Sequence, residues 1–265
     1  KRACLIGVIV PKINSESISR ITEGIGQILA KSGYQMLLTI TNNNSSKELE
    51  YVDLFEAYPV DGIILVGTVL TRAHKKKLKE CKVPIVVIGQ YTKETSCVYH
   101  DDYGAAKALA EQVGREASGR VAYIGVTRED KAAGAAREDG FREGLKEVGK
   151  ELEESCLRRA KFTMESGYEQ AVDLLEKEHD IDIISCATDT IAAGAIEAIA
   201  QYSPERKIQV TGFGDNQFLK AVTGGIRTVH FAYQTSGIKG AELLLEMIES
   251  EKTRMTEMKL GCELV

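Results

Sequence analysis

With 265 residues, 43% of them hydrophobic, the chain is long enough for one large α/β domain or two of ordinary size, each with its own core. Its 34 basic residues against 39 acidic ones leave a net charge of -5, which excludes a broad basic surface for gripping nucleic acid or an anionic membrane. No apolar run approaches the roughly 20 residues of a membrane span. The start KRACLIGVIVP reads as a strand followed by proline, without a signal-peptide cleavage pattern, so the expected location is cytoplasmic.

Taken in order, Cys4 to Val10 is a strand. Ile18, Ile21, Ile25, Ile28 and Leu29 then recur at helical spacing up to the stop at Gly33. Tyr34 to Ile40 is the second strand, Lys47 to Tyr58 a helix ended by Pro59, and Asp61 to Val66 the third strand. Leu70 to Cys81 is a basic helix and Val83 to Gly89 a fourth strand. The rhythm breaks over the polar and aromatic stretch QYTKETSCVYHDDYGAA. It resumes with a helix from Tyr103 to about Glu116, a strand Arg120 to Gly125, a loop Val126 to Ala133 and a helix Ala136 to Val148. Leu157 to Ala160 is a short strand and Ser166 to Glu178 a helix. Ile181 to Asn216 is a β-α-β unit whose polar residues Thr188-Asp189 and Asp215-Asn216 follow its strands. Gln217 to Val222 is helical, Ile226 to Phe231 a strand, Tyr233 to Glu249 an amphipathic helix, and Met255 to Val265 an extended tail.

Strands alternating with helices at this pace imply parallel sheets with right-handed crossovers, in which ligands bind beyond the carboxyl ends of the strands. The expected division is a first lobe of 1–115 with 230–251 and a second of 116–229 with 252–265.

The six cysteines are scattered singly, without a C-x-x-C pair, and read as free thiols. There is no G-x-x-x-x-G-K-[ST] loop, no G-x-G-x-x-G after the first strand, no G-x-S-x-G elbow and no metal spacing among the four histidines. No cofactor, no metal and no catalytic constellation is therefore expected. What gathers at the strand ends is polar: Asn14, Ser17, Asp101, Asp102, Arg137, Thr188, Asp189 and Asp215. Each alone also reads as a cap or turn residue. Together, carboxylates, amides and an arginine suit the paired hydroxyls of a sugar, with Phe162, Tyr91 or Phe231 covering its apolar face.

The motifs IGVIVPKI, VDGIILVG, VPIVVIG, RVAYIG, AAREDGFREGL, CATDTIAAGAIEAI, QVTGFGDN and RTVHFAYQTSGIKGAELLLEMI, in this order, resemble the effector-binding core of the lactose-repressor/galactose-repressor family of bacterial transcription regulators. The resemblance covers nearly the whole chain. It implies an α/β fold of two Rossmann-like lobes with parallel sheets, like periplasmic binding proteins, joined by three crossovers. It also implies a homodimer, expected through helices of the first lobe, and a small effector between the lobes. Operator DNA would be bound only through a helix-turn-helix headpiece N-terminal to Lys1, which this chain lacks. Carried over by motif, Arg137 is expected to hydrogen-bond the effector, Thr188 to face the cleft, Asp101 or Asp102 to join them, and Phe162 to stack on a sugar. Two places depart from the pattern. Ser17 stands where many members have a large aromatic, and Gly214 replaces the first carboxylate of the usual G-[FY]-D-D. The wording of GFGDN and TVHFAYQTSG resembles the sucrose and trehalose repressor branch, so the expected effector is a disaccharide or a sugar phosphate. A sugar-binding protein of a transporter shares the fold and is the alternative, which the missing secretory signal disfavours.

Overall fold

A computed structural model describes residues 3–250 and 254–265. The chain opens with β1 (Leu5–Val10), α1 (Glu16–Lys31), β2 (Gln35–Ile40), α2 (Ser45–Ala57), β3 (Gly62–Val66), α3 (Arg72–Glu80), β4 (Ile85–Ile88) and β5 (Ser96–His100). It continues through α4 (Asp102–Glu116), β6 (Arg120–Gly125), a π-helical turn (Lys131–Ala136) and α5 (Arg137–Glu147). After a 3-10 turn come β7 (Leu157–Arg159), α6 (Met164–Lys177), β8 (Ile181–Cys186), α7 (Asp189–Tyr202), β9 (Gln209–Phe213), α8 (Gln217–Thr223) and β10 (Arg227–Phe231). The last elements are α9 (Tyr233–Glu249), β11 (Glu257–Leu260) and β12 (Cys262–Leu264). They form two units, and the chain passes from one to the other after His100, after Phe231 and after Gly261.

In the first unit a six-stranded parallel sheet runs β11-β5-β4-β3-β1-β2. Its central strands bury both faces, which explains their continuous apolar runs. Ile6, Val8, Val10 and Ile64 pack with Ile21, Ile25 and Leu29 of α1 and with Leu244 of α9. Ile9, Ile63, Leu65 and Val87 pack on the opposite face with Val52, Phe55 and Leu78 from α2 and α3. Each such side chain stabilises the unit by about 1.5–3 kcal/mol.

The second sheet runs β12-β10-β9-β8-β6-β7, parallel except for β12, which lies antiparallel to β10. Tyr123 of β6 stacks on Phe141 of α5, ring centroids 4.8 Å apart, and both are fully buried.

Three expectations are corrected. The boundary near 115 moves to 100, because α4 lies against α5: a Cβ at Gly140 or Gly144 would collide with the carbonyls of Tyr103 and Lys107. The return moves from 230 to 232, since β10 belongs to the second sheet along its whole length, pairing with β9 through Val229 and with β12 through Phe231. The tail is not one piece of the second lobe: β11 extends the first sheet beside β5, and only β12, past Gly261, joins the second. The expected division between 251 and 252 lies outside the described residues. The polar break also contains β5, and the expected loop 126–133 ends in the π-helical turn, which Asp130 caps by accepting from the Ala132 and Ala133 amides. Among the described residues, no helix is long and apolar enough to cross a membrane.

Candidate functional site

The carboxyl ends of β6, β8, β9 and β10 in the second unit carry most of the candidate residues. Arg137 opens α5 and is only 6% exposed. Its Nε donates to Asp102 Oδ1 at 2.7 Å and its Nη1 to the Ala187 carbonyl at 2.6 Å, just beyond β8. The guanidinium carbon lies 4.9 Å from the Phe213 ring centre and 4.8 Å from that of Phe231, so the last residues of β9 and β10 support the cation from below. Phe231 is fully buried and backs Arg137, where an exposed stacking face had been expected. Asp102 is 5% exposed; its Oδ2 takes no donor among the described residues. Asp101 caps α4 instead, accepting from the Gly104 amide at 3.3 Å.

Beside this pair, Asp189 ties three elements together. Its Oδ1 accepts from the Thr228 hydroxyl at 2.7 Å and its Oδ2 from the Asn216 amide at 2.8 Å. Burial pushes the Asp189 carboxyl above its ordinary range, and these two hydrogen bonds pull only partway back. Thr188 caps α7, its Oγ1 accepting from the Ile191 amide at 3.2 Å. Asp215, at a φ of 51°, receives Lys220 Nζ at 2.8 Å and faces His230 Nδ1 at 2.9 Å. Burial works to raise the Asp215 carboxyl, but Lys220 and His230 outweigh it and hold it below its ordinary value. Phe162 follows β7 half-buried, just before the Thr163 cap of α6. Asn14 and Ser17 belong to the other unit, at the carboxyl end of β1. Asn14 is exposed, and the Ser17 hydroxyl meets that of Ser15 at 2.9 Å.

The sequence profile described as periplasmic binding proteins and sugar binding domain of LacI family matches residues 3–264. The chain belongs to this family. Relatives of this LacI-family chain include the sucrose operon repressor of Staphylococcus xylosus, 27% identical over 95% of this chain and 78% of that protein. Catabolite control protein A of Priestia megaterium is 24% identical over 95% and 77%. In fold it matches the transcriptional regulator CelR in its cellobiose complex, with a TM-score of 0.90 at 23% identity, covering 100% of this chain and 84% of that one. The trehalose repressor from Escherichia coli gives 0.85 at 20% identity, covering 98% and 99%.

Sequence reasoning missed a second charged cluster in this LacI-family domain. Glu138, next to Arg137 and 2% exposed, receives Arg159 Nη2 on both oxygens at 2.8 and 2.7 Å and meets Arg128 Nη1 at 3.1 Å. The signal was present in the paired charges Arg137-Glu138 at the start of a helix, of which only Arg137 is singled out by the motif. In the first unit, buried Glu48 joins the Thr68 hydroxyl at 2.8 Å to His74 Nε2 at 3.1 Å. The Thr71 amide donates to His74 Nδ1 at 3.3 Å, so Nε2 carries the proton and donates to Glu48.

Proposed function

We propose that this chain is the sugar-sensing core of a bacterial transcription repressor, taking a disaccharide or sugar phosphate as effector and pairing with a second copy of itself. The observation that carries the reading is the buried Arg137–Asp102 pair over Phe213 and Phe231. A guanidinium fixed from beneath and a carboxylate oxygen still open to a donor can hold adjacent hydroxyls with little ordering cost, because the protein holds both groups in place before the ligand arrives. Family membership and the sugar named for the sucrose operon repressor support a sugar effector. The relatives named are transcription regulators, which favours this reading over a transporter's binding protein.

Effector binding alters DNA affinity only if it favours one arrangement of the protein over another. Operator contact is assigned to a headpiece outside these residues, since a net charge of -5 argues against a broad basic surface that could follow a nucleic-acid backbone. Support for the dimer comes from α8, where Phe218 and Val222 are 82% and 79% exposed one turn apart. Thr223, which follows Val222 at the end of α8, lines an apolar groove of about 440 Å³ together with Ile196, Ile199, Pro204, Ile208, Val210 and Ile226.

Titration calorimetry with sucrose, trehalose and cellobiose tests the reading. Saturable binding of one of them, weakened by Asp102→Asn, is expected; heats that stay at the level of dilution for the whole panel and its phosphate esters would remove the sugar assignment.

A further inference from the structure

Arg159 is the last residue of β7, so its side chain leaves the second sheet at the same carboxyl edge that carries Arg137. Its only partner among the described residues is Glu138, bound through Nη2 alone, and 42% of the side chain is exposed. Nε and Nη1 therefore still donate outward. Glu138 is shared: Arg128 Nη1 lies at 3.1 Å and Arg142 Nε at 3.6 Å, so three guanidinium groups surround one buried carboxylate. The other acids that balance them, Asp139 and Glu154, are 50% and 78% exposed, and water screens their charge.

The β9–β10 end of the edge is the reverse. Asp189 and Asp215 have both oxygens on protein donors, and Gly214 contributes no side chain. Spare polar capacity is thus cationic and donating at the β6–β7 end. A planar guanidinium with two open N–H groups matches the oxygens of a phosphate better than a single hydroxyl.

We propose that Arg159, positioned by Glu138, binds an anionic substituent of the effector, which makes the effector a sugar phosphate. This rests on the sugar-sensing reading above. The test is calorimetry on the 265-residue chain with sucrose, trehalose and glucose and the phosphate ester of each, for the natural protein, Arg159→Gln and Arg159→Lys. One phosphate ester is expected to bind more tightly than its parent sugar, and Arg159→Gln to weaken it about tenfold or more while changing the parent by less than about twofold. Arg159→Lys keeps part of the preference, since the charge remains and the fork is lost. Thermal melting checks that Arg159→Gln is folded, as Glu138 retains Arg128 and Arg142. Equal binding of ester and parent to the natural protein, or an equal loss of both in Arg159→Gln, overturns the anionic inference and leaves sugar sensing standing. Failure of all six compounds to bind the natural protein overturns both.

Discussion

Arg137 and Glu138, successive residues in the first turn of α5, reach in opposite directions along one sheet edge. Arg137 extends over β8, β9 and β10 to Asp102, the Ala187 carbonyl and the rings of Phe213 and Phe231, whereas Glu138 gathers Arg159 and Arg128 at the ends of β6 and β7. One helix start thus fixes both charged clusters, and the two substitutions have different consequences. Arg137→Ala is expected to weaken effector binding about 10- to 150-fold by removing a charged donor. It also strands Asp102, a buried charge, at a cost to stability of about 3–5 kcal/mol. The double change Arg137→Met with Asp102→Asn separates these effects: denaturant unfolding should recover most of the stability while calorimetry shows no recovery of affinity. Recovered affinity in the double variant would place the effector elsewhere.

Gly214 cannot be converted into an aspartate without backbone cost. Its φ of 139° lies where residues with a Cβ are strained, and Asp189 is its neighbour across the loop. Gly214→Asp is expected to lose about 1–3 kcal/mol in chemical denaturation. The added negative charge beside Asp189 pushes the carboxyl of that residue up further. Unchanged stability would mean that the loop relaxes freely, and the departure at Gly214 would then be chemical in origin and owe nothing to conformation.

Much of this architecture was legible because parallel strands buried on both faces must be apolar along their length, and Ile63 to Val66 or Ile183 to Cys186 announce themselves that way. The hidden strand was Ser96–His100, where serine, tyrosine and histidine sit in a strand held between β4 and β11. Its pairing is decided by neighbours distant in sequence, above all the segment Glu257–Leu260, and no local pattern encodes that. The site was half legible for a similar reason. Arg137 could be found by motif, but whether Asp101 or Asp102 meets it depends on which of them caps α4, and that turns the other, one residue on and about 100° round the helix, toward α5. Asp189 and Thr188 were correctly placed at a strand end, yet their side chains turn inward to hold α7, β10 and the loop after β9 together.

Acid stability follows from Asp215. Its folded-state carboxyl lies below the ordinary value of 3.8 because Lys220 and His230 outweigh its burial. Stability from this group is therefore present above the ordinary value and is lost as pH falls through the lower folded one. Thermal melting of the natural protein and Asp215→Asn should differ most near neutrality and converge below about pH 3.8, where the unfolded chain is already protonated. Curves that stay parallel down to the acid limit would show that the carboxylate is not stabilised by these partners.

The exposed face of α8 makes the oligomer testable apart from the effector. Phe218 and Val222 stand at helical spacing i and i+4, so they project from one side, and each exposes roughly four-fifths of its surface. A patch that carries both projecting side chains and an apolar groove can meet its own copy across a two-fold axis, since the projecting side chains of each copy can enter the groove of the other. Phe218→Asp with Val222→Asp is expected to shift a dimer to monomers in light scattering at tens of micromolar. Its melting temperature should change little at low concentration, because neither side chain contributes to the core of its own chain. Sugar binding measured on the monomer should persist, as α8 meets Asp215 through Gln217 and Lys220, and neither Phe218 nor Val222 takes part in those contacts. If the double variant remains a dimer, the pairing surface lies on the first unit, where the edge strand β2 leaves Met36 and Leu37 exposed, and a charge at Leu37 becomes the substitution that separates the subunits.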